Sequence, residues 1–153
     1  MRGLRDALEQ SEKDGVAIGH FNVADWVLLK AVLASGQELK VPVVVGASEG
    51  EREFIGVRQI AALVRSLREE CDYPIFLNAD HTHSLPKAVE AAKAGFDAIV
   101  FDLSALPFEQ NVRQTLDVAD YGYVLAQGLV VAKGSAELLK ENSELHKAYF
   151  GLH

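Results

Sequence analysis

Tyr73-Pro74-Ile75-Phe76-Leu77-Asn78-Ala79-Asp80-His81-Thr82-His83-Ser84 is the stretch that decides the fold. Ile75-Phe76-Leu77 is a short apolar run, as expected of a strand covered on both faces. Ser84 then precedes Leu85-Pro86, which reads as a helix N-cap with proline in the first turn, and Gly95 supplies the stop. Strand, polar crossing and helix make one β-α unit. A carboxylate beside an imidazole, Asp80-His81, at the C-terminal end of a parallel strand suits a proton donor next to a metal ligand.

The same grammar extends in both directions. Leu4, Ala7, Leu8 and Ser11 lie on one stripe of a short helix that stops near Gly15. Val16-Ala17-Ile18-Gly19 reads as a strand, and Asp25 caps a helix from Trp26 to about Lys40 with Leu29 and Leu33 inside. Pro42-Val43-Val44-Val45-Gly46 is another apolar strand. Val57, Ile60, Ala61, Val64 and Leu67 carry the next helix, and Ala98-Ile99-Val100-Phe101 is a fourth strand. Pro107 opens a helix with Phe108, Val112, Leu116 and Ala119 along one face. Strict alternation predicts an α/β fold with a parallel sheet and right-handed crossovers. Past about residue 121, Tyr123–Ala126 and Leu129–Ala132 flank Gln127-Gly128, a β-hairpin signal. A last helix begins near Ser135, with Leu138, Leu139, Leu145 and Tyr149 as its apolar residues.

Composition narrows the function. With 153 residues, 49% of them hydrophobic, the chain can bury one real core. No apolar run is long enough for a membrane span. The net charge of −7 argues against a nucleic-acid partner, although a phosphorylated substrate needs only local donors. A single cysteine, Cys71, excludes an internal disulfide and fits a cytoplasmic, reducing setting.

Residues 1–115 resemble the zinc-dependent class II ketose-bisphosphate aldolases, which cleave fructose or tagatose bisphosphate. The resemblance rests on Gly19-His20-Phe21-Asn22, Pro42-Val43-Val44-Val45 leading to Ser48-Glu49-Gly50, Asn78 to Ser84, Ala94-Gly95-Phe96-Asp97, and Phe101-Asp102-Leu103-Ser104-Ala105-Leu106-Pro107 onward to Asn111. It implies the first four β-α units of a (β/α)8 TIM barrel, a half barrel, followed here by the β-hairpin and terminal helix. It also implies roles. Asp80 matches the catalytic acid/base carboxylate, His81 a ligand of the catalytic zinc, Asp102 a carboxylate at a second cation position, and Ser48 a serine near the sugar-phosphate substrate. Such sites lie past the C-terminal ends of barrel strands. Zinc serves because retro-aldol cleavage leaves an enediolate whose charge a Lewis acid stabilises. Taken without the resemblance, Asp80 and Ser48 cap turns and His81 is a polar loop residue. His20 and His83 are expected to support the site or face solvent.

Residues 109–153 resemble the C-terminal end of the ATPase subunits of branched-chain amino-acid ABC transporters. Glu109 to Leu116, Gly122-Tyr123-Val124-Leu125 and the closing Ala148-Tyr149-Phe150-Gly151 carry this second resemblance. Glu109 to Thr115 fits both families, which implies a join there, with parts 1–115 and 116–153 packed as one unit. The family's remaining zinc histidines, its metal-associated glutamate and its phosphate loops have no counterpart after residue 115, where the only histidines are His146 and His153. A phosphate loop ending in Gly-Lys-Ser/Thr is absent as well. The expected function is therefore that of a truncated or chimeric class II aldolase with little or no activity alone; the rival is a non-catalytic interaction module or an ABC ATPase fragment that binds no ATP. Unpaired sheet edges, and an open face assigned to Val43, Val45, Ile75, Leu77, Ile99 and Phe101, predict a homodimer or other self-association.

Overall fold

The computed structural model describes residues 3–102, 116–117, 119–126 and 129–142. It divides into two compact units, Met1–Phe101 and Asp102–His153. The first begins with α1 (Leu4–Asp14), closed by Gly15 in the left-handed conformation. Then come β1 (Gly19–Asn22), α2 (Trp26–Leu39), β2 (Val43–Ala47), α3 (Glu49–Ile55), α4 (Val57–Cys71), β3 (Ile75–Thr82), α5 (Leu85–Ala94) and β4 (Ala98–Phe101). The four strands pair in the order β1-β2-β3-β4, all parallel.

Strands laid down in sequence order, with α2 and α4 packed against the same face, give a curling sheet rather than a doubly wound one. Parity shows which face is which. Val43, Val45 and Ala47 of β2 and Ile75, Leu77 and Ala79 of β3 are buried in one cluster with Leu29, Leu33, Ile60, Val64 and Leu67 of the helices. The intervening residues, Val44 and Gly46, Phe76 and Asn78, therefore line the opposite, concave face. Val44 and Phe76 are themselves buried. This reverses the expected assignment of Val43, Val45, Ile75 and Leu77 to the open face. Both parities of β2 are apolar up to Gly46, so no alternation distinguishes the two faces in the sequence.

The helices follow their sequence signals. Asp25 accepts from the Leu28 amide at 2.7 Å as the cap of α2, and Lys40 closes that helix with φ 57°. Two elements differ from expectation. β1 starts at Gly19 rather than Val16: the ladder with Val43–Gly46 uses Gly19–Asn22, which puts the polar His20 and Asn22 on the concave face. α3 is not among the elements expected from the sequence; Ser48 and Glu51 form the capping box that starts it. β3 also continues through the motif as far as Thr82. The base of the sheet is tied by Arg68, which donates to Ile75 O at 2.9 Å and to Asp97, whose carboxylate accepts from the Leu77 amide at 2.8 Å.

In the second unit, β5 (Tyr121–Ala126) and β6 (Leu129–Ser135) form an antiparallel pair with its own two-stranded sheet. Ser135 caps α6 (Ala136–Glu141), whose Leu139 is buried while Leu138 is 65% exposed. The expected helix from Pro107, apart from Leu116, Asp117 and the non-helical Ala119, the hairpin turn Gln127-Gly128, and Leu145 and Tyr149 lie outside the described residues. Among the described residues no helix is long and apolar enough to cross a membrane.

Candidate functional site

Polar residues two apart on β1 and β3 build the site. His20 and Asn22 leave β1 on the concave face; Asn78 and Asp80 leave β3 on the same face. They meet over β2: His20 Nε2 lies 3.0 Å from Asn78 Nδ2, and Asn22 Nδ2 donates to Asp80 Oδ2 at 2.9 Å. The crossing is possible because β2 presents Gly46 between them. A β-carbon at Gly46 would lie 2.6 Å from the His20 ring and 2.8 Å from Asn22 Oδ1. Asn78 is 3% exposed, and its Oδ1 has no hydrogen-bond partner among the described residues.

The backbone of the same strand end is held from the other side. Arg52 of α3 is 2% exposed. Its Nη1 donates to Ala47 O and to Asp80 O, the latter at 2.9 Å, and its Nη2 donates to Thr82 Oγ1 at 2.9 Å. Burial pulls this guanidinium below its ordinary value, and the nearby Glu49 and Asp80 carboxylates oppose that pull. His81 sits between the two tethered residues with φ 43°. Its ring is 62% exposed, and Nε2 stands 3.9 Å from Asp80 Oδ2. Glu49 Oε2 accepts from the His83 amide at 3.0 Å and lies 3.5 Å from His83 Nδ1. The amide bond of His83 is the main reason the Glu49 carboxyl is held below its usual value.

The structure brings Asp80 and His81 together, with His20, Asn22 and Asn78 beside them. Ser48 is placed at the head of α3, where its hydroxyl accepts from the Glu51 amide at 3.3 Å. Asp102 directly follows the last residue of β4 and opens the second unit. Sequence reading missed Arg52, because Ser48-Glu49-Gly50-Glu51-Arg52-Glu53 looks like a solvated charged face. It also missed Asn22 and Asn78 as partners, although the i, i+2 spacing of His20 with Asn22 and of Asn78 with Asp80 was a readable signal.

Among the described residues, no three His, Cys, Asp or Glu side chains gather closely enough to hold a metal ion. A catalytic zinc takes three protein ligands. One exposed imidazole and the carboxylate beside it do not make such a site by themselves.

Fold and site together define an α/β-barrel type of chain whose polar chemistry sits at the C-terminal ends of its strands. The sequence pattern of class II fructose-bisphosphate aldolases matches residues 2–128. A fructose-bisphosphate aldolase from Geobacillus stearothermophilus is 33% identical over 131 residues, covering 84% of this chain and 45% of that protein. A probable fructose-bisphosphate aldolase from Bacillus subtilis is 32% identical over 123 residues, covering 78% and 43%. Among known structures, the YdjI aldolase from Escherichia coli K12 superposes with a TM-score of 0.67 at 25% identity, covering 76% of this chain and 45% of that one. A fructose-bisphosphate aldolase from Campylobacter jejuni shares the fold, with a TM-score of 0.68 at 22% identity over 76% of this chain and 41% of that one. This chain belongs to the class II fructose-bisphosphate aldolase family, and it spans less than half the length of these relatives.

Two outcomes follow for the site. Gly46→Ala forces the His20 and Asn22 side chains off their partners; overpacking of this kind costs about 1–3 kcal/mol. Urea unfolding should show the loss, and the Asn22 side-chain amide resonances should move; an unchanged Asn22 signal would contradict the bridge. Glu49 has a folded pKa below its ordinary 4.5, so its contribution is present above that value and lost as pH falls through the lower folded one. The stability difference between wild type and Glu49→Gln should be present at about pH 6 and shrink as pH falls below 4.5. A difference that stays constant across that range would remove Glu49 from the acid response.

Proposed function

We propose that this chain carries the first half of a class II ketose-bisphosphate aldolase site and turns over little or no substrate alone. Asp80 is the acid/base that moves the proton at the aldol oxygen. His81 supplies one zinc ligand, Asp102 belongs to a second cation position, and Ser48 lies near the sugar phosphate. The observation that carries this reading is Asp80, oriented by Asn22 beside His81 at the end of β3, with no metal-holding group of three among the described residues. A proton-transfer group needs one orientation and one reachable proton, and the Asn22 bond sets the orientation. The described donors do not complete a zinc shell.

The test offers zinc with fructose 1,6-bisphosphate and, separately, tagatose 1,6-bisphosphate to the purified chain in a coupled assay. Turnover should stay at the blank, and zinc after dialysis should fall well below one ion per chain. Turnover abolished by Asp80→Asn, or tight zinc removed by His81→Ala, would show a site completed in some other way.

A second reading, a non-catalytic module that self-associates, is favoured by the sheet edges. β1 and β4 each pair with a single strand among the described residues, while β5 and β6 pair only with each other. β1 is exposed throughout, including Phe21, and Val100 of β4 is 45% exposed. These edges, rather than an apolar face of Val43 and Ile75, are the ground for expecting a homodimer. Light scattering coupled to size exclusion should give a mass above that of one chain; a clean monomer at high micromolar concentration would end this reading. For residues 109–153, the hairpin and α6 support a likeness to ABC ATPase C-termini, which implies no ATP site. The class II pattern itself runs on to residue 128.

A further inference from the structure

We propose that Arg52 is the positioning residue of this site, holding the end of β3 in the backbone conformation that presents Asp80 and His81. The proposal rests on the reading of Asp80 and His81 given above. An arginine is almost never this deeply buried unless its charge is paired. The hydrogen bonds of Arg52 run to two backbone carbonyls, Ala47 and Asp80, and to the Thr82 hydroxyl. These acceptors lie at the ends of β2 and β3, so one planar guanidinium ties two neighbouring strand ends together.

The conformation so held is an unusual one. His81 is left-handed, a region in which a β-carbon crowds the backbone. The β3–β4 register also shifts between Ala79 and Thr82. Such strain persists only where the surroundings over-determine it. Arg52 grips the residue before His81 and the residue after it. Thr82 Oγ1, while accepting from Arg52, also donates to Ala79 O at 3.3 Å, which closes the loop back onto the strand. α3 has its own anchor in the Ser48–Glu51 capping box and does not need Arg52 to start. The donors of Arg52 are thus directed at the backbone of the site rather than at the stability of its own helix.

The experiment uses the whole chain and two variants, Arg52→Met and Thr82→Val. The second keeps the charge and removes the Thr82 hydroxyl, with its bonds to Arg52 and to Ala79 O, so it remains informative if Arg52→Met does not fold. The readouts are the intraresidue amide-to-Hα NOE of His81, which is strong when φ is positive, and amide exchange across the sheet. In wild type the His81 NOE should be strong. In the folded variants it should weaken, and exchange at residues 80–82 should quicken about tenfold while Val44 and Val45 hold within about twofold. An unchanged NOE in a folded variant would overturn the proposal. So would exchange that quickens equally in all strands, because that is the mark of a merely structural cation. Neither readout depends on zinc or turnover. Failure of the aldolase reading would appear in the coupled assay and zinc content, and failure of the positioning role would appear here.

Discussion

Side chains of β1 reach those of β3 only where β2 has no side chain of its own. Adjacent strands lie about 4.8 Å apart, so β1 and β3 are about twice that distance from each other. Two medium-sized polar side chains can close such a gap, but not over a methyl group. Gly46 leaves that space, and the His20–Asn78 and Asn22–Asp80 contacts occupy it. The same strand end is held from behind by Arg52, which takes the Asp80 carbonyl while Asn22 takes the Asp80 carboxylate. Asp80 is therefore gripped through its side chain on the concave face and through its backbone on the helical side. The orientation of the carboxylate depends on both grips, and both come from residues far from it in sequence.

Local rules made most elements legible. The caps at Asp25 and Ser135, the left-handed stop at Gly95 and the i, i+3, i+4 stripe of α4 were readable because each is decided within a few residues. The strand faces were not. Val43-Val44-Val45 is apolar at every position, so burial on both sides erased the alternation that would separate helix side from concave side. The distinguishing signal lay instead in the polar pairs His20/Asn22 and Asn78/Asp80, each with the period of a strand. Arg52 was illegible for a different reason. Its neighbours Glu49, Glu51 and Glu53 are the residues of a solvated surface, and only the tertiary approach of Ala47, Asp80 and Thr82 turns this one charge inward.

The two faces of the sheet divide the work of the fold. Residues pointing to the helices are aliphatic and supply most of the core. Residues pointing to the concave face become polar as the strands run toward their C-terminal ends: His20 and Asn22 on β1, Asn78 and Asp80 on β3. Stability can be carried on one face while the other is specialised for chemistry, which is how a barrel tolerates a polar layer next to its core. The buried Asn78, whose Oδ1 is unpaired among the described residues, marks the place where that division is least complete.

A half barrel does not lose all parts of such a site equally. Orienting one carboxylate takes a few contacts, and here Asn22, Gly46, Arg52 and Thr82 supply them within a single compact unit. Binding a metal takes several donors converging on one point, and in a barrel they come from the ends of several different strands. Four parallel strands bring Asp80 and His81 to such a point without gathering a third donor among the described residues. On the reading proposed above, proton transfer is the function whose geometry survives in this chain by itself, and metal binding is the one that must wait for ligands from beyond these four strands. On that reading, Asp80 is braced within one compact unit, whereas a metal shell that included His81 would need donors from further strands.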